Sequence, residues 1–394
     1  MMSWLAQDVI ISWQVYSITR DPLMLGLIGL TEAVPAIICA LFAGHVVDIS
    51  RPYRVFIICV GVMCVNSTIL MLIGGGHIAV MGGILPWLFV GIFISGLQRS
   101  FIMPASFTLL PLIVPRAEIS SASAMLTGGF QLATVLGPAI AGLIYGGYGE
   151  QVAWYMPMIF IFIALILHIA ALSSEPKKWK NNKQRERAVK SITAGWKFIL
   201  NNRILLSVMV LDMFAVLFGG AIAMLPAYAD KILHVGAEEL GILRAAPAVG
   251  AIAMAMVLAT RPFMVIKGRW LLWAVVGFGV GIIGFGFSEI FWLSVFFLVV
   301  TGVFDSISMV IRQTIMQWLT PDDMRGRVSS VNSMFITSSN EIGAFESGVA
   351  AKLLGLMPSV VFGGICTLAV AAATALLSPK LRSIEVKPMA ENDK

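Results

Sequence analysis

The chain has 394 residues, 58% of them hydrophobic and only 12% charged, with a mean hydropathy of +0.90 and a formal net charge of +6. A soluble protein of this length needs far more charge on its surface, so the composition excludes a soluble globular domain. Crossing the hydrocarbon takes about 20 apolar residues per helix. About twelve such segments can be marked, at 2–17, 23–46, 55–73, 83–103, 119–146, 152–172, 204–229, 240–260, 270–287, 291–311, 329–355 and 359–377. An all-α membrane protein of two pseudo-symmetric six-helix bundles is therefore expected. Residues 1–173 form the N-terminal bundle, 174–203 a basic linker, 204–379 the C-terminal bundle and 380–394 a tail.

The first segment is short and carries Gln7 and Asp8 near its middle. Either its start is truncated or its neighbours stabilise it. The second holds Glu32 and Pro35 and ends in the elbow GHVVDISRPYR, with Gly44, Asp48, Arg51 and Arg54. The fifth contains ATVLGPAIAG, where Gly137, Pro138 and Gly142 let helices approach closely and bend the segment. Residues 173–203 are basic, polar and long. Their latter part, 189–200, reads as an amphipathic helix on the membrane face, and the lysines there are expected to meet anionic lipid rather than nucleic acid. The eleventh segment is the most polar. Ser333, Thr337 and Glu341 recur at spacing four and share a face, with Glu346 well round the helix from them.

The chain repeats itself. Residues 96–125 return as 302–334, with Gly302 minus Gly96 and Pro321 minus Pro115 both 206 positions. A half-chain repeat of membrane-length segments marks a two-bundle transporter. Asp8, Glu32, Arg99, Asp212, Arg244, Asp305, Glu341 and Glu346 all lie in apolar segments. An unpaired charge at mid-membrane costs about 2.5 kcal/mol or more, so each is expected to be paired, protonated or beside water. Arg99 and Asp305 are equivalent in the repeat. Arg99 reads equally as a substrate contact or as a structural ion-pair partner, and Glu341 as a proton carrier or as a partner of Arg244 or Arg99. Trp87 and Trp154 read as interfacial anchors, and His168 as a packed or snorkelling side chain.

Lys and Arg gather at Arg51, Arg54, Arg116 and in 177–197, 261–269, 312–327 and 380–394. The alternate connectors hold little beyond Arg20, Lys231 and Lys352. That asymmetry places the basic connectors and both termini in the cytoplasm. The start lacks a basic n-region and a small-residue cleavage site, so no cleavable signal peptide is expected. The cysteines Cys39, Cys59, Cys64 and Cys366 have no metal spacing. No Walker loop, HExxH, CxxC or nucleophile elbow appears, so neither direct ATP use nor an enzyme is expected.

The elbow with Gly44, Asp48, Arg51 and Arg54 resembles the signature between the second and third helices of the major facilitator superfamily, although Ile49 stands where a basic residue is usual. ATVLGPAIAG resembles its antiporter motif, with two glycines replaced by alanines. Over nearly its full length the chain is similar to the siderophore and drug exporter branch, the enterobactin exporter-like proteins. That similarity rests on WQVY at 13–16, GLIGLTE at 26–32, TPDDMRGRVSSVNS at 320–333 and NEIGAFESG at 340–348. The resemblance implies proton-coupled export of a small amphipathic molecule by alternating access. It makes the first elbow, with Asp322, Arg325 and Arg327 of the second, a conformational switch. A small-molecule substrate, membrane lipid, a proton gradient in place of any cofactor or metal, a monomer and a plasma-membrane location (inner membrane in a Gram-negative cell) are expected. An uptake permease and a non-transporting receptor or scaffold are the rival readings.

Overall fold

The computed structural model describes residues 1–114, 118–171, 188–261, 265–321 and 324–386. Residues 174–187 of the expected linker, the last eight residues of the tail, Arg116 and Asp322 lie outside them. The helices are α1 (Met2–Thr19), α2 (Pro22–Ile49), α3 (Pro52–Gly74), α4 (Leu85–Ile113), α5 (Ile119–Ala171), α6 (Ala188–Asn201), α7 (Arg203–Phe218), α8 (Leu225–Lys231), α9 (Ala237–Thr260), α10 (Gly268–Gly286), α11 (Phe291–Leu319), α12 (Arg325–Leu354), α13 (Leu356–Leu377) and α14 (Pro379–Ser383). The two-residue strands β1 (Ile266–Lys267) and β2 (Glu385–Val386) pair antiparallel.

Local chemistry sets the helix ends. Asp21 caps α2 by accepting from Leu23 N at 3.0 Å, with Pro22 pre-set for the first turn. Asn202 Oδ1 caps α7 by accepting from Leu205 N at 3.2 Å. The run of α5 is broken at Gly149, whose φ of 82° lies in the left-handed region open to glycine. Among the described residues nine helical stretches are long and apolar enough to span, one of them the 46-residue Met125–Ala170. At about 1.5 Å per residue that stretch is twice the hydrocarbon thickness, so the break at Gly149 makes it two spans. Adding the more polar α1 and α12 gives twelve spans among the described residues, in the expected order.

The chain forms two units, Met1–Val189 with His234–Ala245, and Lys190–Leu233 with Ala246–Lys394. The first turns of α9 therefore belong to the first unit and its remainder to the second. In the first unit α2 packs on α4, α1 on α5, and α3 on both. In the second, α10 packs on α11 and α13, and α7 on α12 and α13. Large apolar side chains remain on the outside, such as Ile166, Trp273 and Leu377, the last 83% exposed. A surface of that kind suits lipid and not water.

Close approach at one repeated glycine shapes both units. A Cβ on Gly96 in α4 would strike the Glu32 backbone in α2. A Cβ on Gly302 in α11 would strike the Pro247 backbone in α9. The span begun by α7 is not continuous. It ends at Gly219, passes through a 3₁₀ turn at Gly220–Met224 and resumes as α8. Gly343 and Ser347 of α12 press on that break, since a Cβ on Gly220 would lie 2.7 Å from Gly343 O and 2.5 Å from Ser347 Oγ.

The stretch expected to lie on the membrane face is helical, as α6, but its apolar side meets protein. Ile199 is fully buried in the second unit's core, with Trp196 and Phe198 packed against that core. The Trp196 and Phe335 rings stand 5.1 Å apart.

Candidate functional site

The first unit gathers polar residues from four spans and from the start of α9. On α1, Trp4, Gln7, Asp8 and Ile11 fall at helical spacing three and four and line one narrow cleft with Ile28 and Glu32 of α2 and Ile92 and Ser95 of α4. Asp8 is ion-paired with Arg244 of α9. Glu32 is ion-paired with Arg99 of α4 at 3.3 Å. The Arg99 guanidinium also lies over the Trp4 ring, 4.5 Å from its centroid, within cation–π range.

Neutral groups form a network of their own around Gln7 and Ser95 of the same cleft. Ser67 Oγ donates to Gln7 Oε1 at 2.6 Å, and Gln7 Nε2 donates to Ser95 Oγ at 3.4 Å. Asn66 Nδ2 donates to Gly91 O and to Ser95 Oγ, both at 3.1 Å. The network holds buried polar groups from α1, α3 and α4 in one arrangement. Two donors near these residues lack partners among the described residues, Gln98 Nε2 and Arg244 Nε. A buried unsatisfied donor is uncommon and marks a place where water or a ligand can bind. Arg99 keeps 32% of its side chain exposed while Glu32 keeps 9%. The accessible member of that pair is the cation.

The second unit has its own charges. Asp212 of α7 is ion-paired with Arg312 of α11, both buried. Asp305 of α11 is half-buried and has no ion-pair or hydrogen-bond partner among the described residues. Glu341 and Glu346 are half-buried on α12, and Glu346 stands beside the Ser347 that presses on the broken span.

The remaining sequence candidates fall elsewhere. Gly137 meets α1, where its Cβ would lie 3.2 Å from Leu5 Cβ. Gly142 meets the start of α9, where a Cβ on it would lie 2.5 Å from Ala237 O and 2.7 Å from Gly241 Cα, while a Cβ on Gly241 would lie 2.7 Å from Pro138 O. The motif thus seats on the turns that lead to Arg244. Gly44 and Asp48 lie on α2, with the Asp48 side chain outside the described set. Arg51 and Arg54 are exposed, Arg325 is exposed and Arg327 is half-buried, with its NH1 3.4 Å from Met324 Sδ. Thr337's side chain also lies outside the described set.

Trp154 corrects the sequence reading. It is fully buried rather than interfacial, and its Nε1 donates to Gln14 Oε1 at 3.1 Å. Gln14 Nε2 in turn donates to Gly74 O at 2.8 Å and to Glu150 Oε2 at 3.3 Å. Trp4, Asn66, Ser67 and Ser95 were not marked from sequence. The one available signal was the spacing of Trp4, Gln7 and Asp8 on a single helix face.

The family model described as Major Facilitator Superfamily matches residues 1–344. The Enterobactin exporter EntS of Citrobacter koseri is 25% identical over 307 residues, which cover 76% of this chain and 72% of that protein. The protein of the same name from Escherichia coli O1:K1 gives the same identity and coverage. A crystal structure of peptide transporter POT in complex with sulfate superposes with a TM-score of 0.71 at 12% identity, covering 97% of this chain and 92% of that one. A bacterial homolog to the human lysosomal transporter Spinster, inward-facing and unoccupied, gives 0.68 at 14% identity, covering 97% and 96%. At these identities the structural likeness speaks for the fold alone.

Proposed function

Because this chain belongs to the Major Facilitator Superfamily and is a multi-pass membrane transporter, we propose that it exports a small amphipathic molecule of the siderophore or drug class in exchange for protons. The observation that carries the proposal is the pair of ion pairs in the first unit, Asp8 with Arg244 and Glu32 with Arg99. The similarity to enterobactin exporters supports export as the direction.

Each pair is a competition site. An ionised Glu32 or Asp8 accepts from a hydroxyl or ammonium donor of a substrate, and a proton on either carboxylate removes that acceptor. Arg99 and the unpartnered Nε of Arg244 add donors for the substrate's own acceptors. Trp4 offers an aromatic face beside Arg99. Substrate and proton exclude one another on the carboxylate, so proton uptake and substrate release become linked, as exchange requires. Asp305 is the matching candidate in the second unit, since it has no counter-charge of its own among the described residues. Alternating access, a plasma-membrane location (the inner membrane in a Gram-negative cell), cytoplasmic termini and a monomer without cofactor belong to the same proposal.

The test is substrate-driven proton flux in proteoliposomes, with the substrate first found by metabolite profiling of medium from cells with and without the gene. Glu32→Gln is expected to keep substrate exchange and to lose proton-driven accumulation. Unimpaired coupling in Glu32→Gln, and in Asp8→Asn and Asp305→Asn as well, would remove proton exchange from the reading.

A further inference from the structure

At the Lys- and Arg-rich end of the second unit, an open cavity of ≈ 540 Å³ is lined by Phe198, Asn201, Asn202, Arg203, Ile204 and Lys380. It lies where α6 hands over to α7 and just past the end of α13. Bonded neighbours fix its frame. The Ser207 and Ser378 hydroxyls share a 2.6 Å hydrogen bond that ties the start of α7 to the end of α13. Leu381, next to Lys380, is fully buried in the unit's core, as is Ile199 beside Phe198.

The lining is one-sided in charge. Arg203 and Lys380 bring two cations, and none of the six residues is acidic. Neither cationic side chain has an ion-pair or hydrogen-bond partner among the described residues. Both are exposed at the open mouth, and an anion between them offsets the repulsion of two like charges facing one cavity. Asn202 spends its Oδ1 on the cap of α7, so its amide N–H groups remain as donors, and Asn201 adds another carboxamide. The start of α7 adds the positive end of a 16-residue helix. Phe198 and Ile204 form an apolar wall beside these donors.

The depth is that of a membrane surface. Arg203 opens one candidate span and Lys380 follows the last residue of another by three positions. We propose that this cavity is a phosphate-binding site, filled by the headgroup of an anionic phospholipid or by a free phosphate. Cations plus hydrogen-bond donors suit the phosphate oxygens. The apolar wall suits the glycerol and first methylenes that a lipid phosphate carries. The site is separate from the residues of the export reading, and it stands whether or not that reading does.

Full-length protein in detergent tests it, with phosphatidylglycerol retention read by native mass spectrometry. The double variant Arg203→Gln with Lys380→Gln is expected to retain it about thirtyfold less, at roughly fivefold per cation near a membrane surface. The charge-preserving pair Arg203→Lys with Lys380→Arg should retain it as wild type does, and so should Arg382→Gln, an exposed basic residue outside the cavity. Displacement by millimolar inorganic phosphate would mark a free phosphate as the ligand. Resistance to phosphate, with loss in the double Gln variant, would mark the lipid. Equal retention by wild type and the double Gln variant would overturn the proposal, as would loss in the charge-preserving pair or an equal loss in Arg382→Gln.

Discussion

Asp8 and Arg244 lie 236 positions apart, yet each is the other's counter-charge. A charge buried without a partner is costly. Arg244 keeps 11% of its side chain exposed and Asp8 31%, so losing Asp8 leaves a largely buried cation uncompensated at less than the about 3–5 kcal/mol of a fully buried pair, whereas replacing both often restores stability. Asp8→Asn alone should therefore lower the melting temperature in detergent, and Asp8→Asn with Arg244→Gln should recover most of the loss. A double variant as unstable as the single one would mean that Arg244 has another anchor. At this scale the sequence said which residues need an explanation, because charge in an apolar segment is expensive wherever it occurs. It did not say who pairs with whom, since spacing along the chain carries no information on contacts between spans. Trp154 shows the same limit. Its place near a span end matched an interfacial anchor, but the ring is fully buried against Gly74 of α3 and its Nε1 bonds Gln14 on α1.

Among the elements, α6 was half legible. Its apolar stripe predicts an amphipathic helix, and the helix is there. A stripe does not identify what covers it, and here the cover is the core of the second unit rather than lipid. The contact is tight at one point, where a Cβ on Gly195 would lie 2.8 Å from Arg327 O on α12. Gly195→Leu would force the helices apart, an overpacking cost of about 1–3 kcal/mol. It should free α6 and raise the rate of limited proteolysis within 188–201, with the spans left resistant. An unchanged cleavage rate would show that α6 is held by Trp196 and Ile199 alone. The break after α7 was not read from the sequence. Gly219 and Gly220 were visible inside an apolar run, but a glycine pair reads equally as packing. The break packs closely on α12, where a Cβ on Gly220 would meet Gly343 and Ser347, and a contact between spans is not written in the local sequence.

Across the whole molecule the most legible feature was the repeat, and its physical content is the glycine at its head. Gly96 and Gly302 are 206 positions apart, and each is the point where a span touches the backbone of a neighbour, at Glu32 in one unit and at Pro247 in the other. The twelve spans were legible because hydropathy and length are properties of the segment itself. The glycine pair was legible because duplication wrote the same packing solution twice. Leucine at either position must push two backbones apart. Gly96→Leu and Gly302→Leu should each lower stability by about 1–3 kcal/mol, the usual cost of overpacking a tight contact. The two sites share no partner, so the double variant should lose the sum of the single losses to within about 0.5 kcal/mol. Equilibrium unfolding in mixed detergent micelles reads all three values. A Gly302→Leu protein as stable as wild type would mean that the second copy has kept the residue without the contact. A double variant well short of the sum would mean that one site's loss already includes the other's.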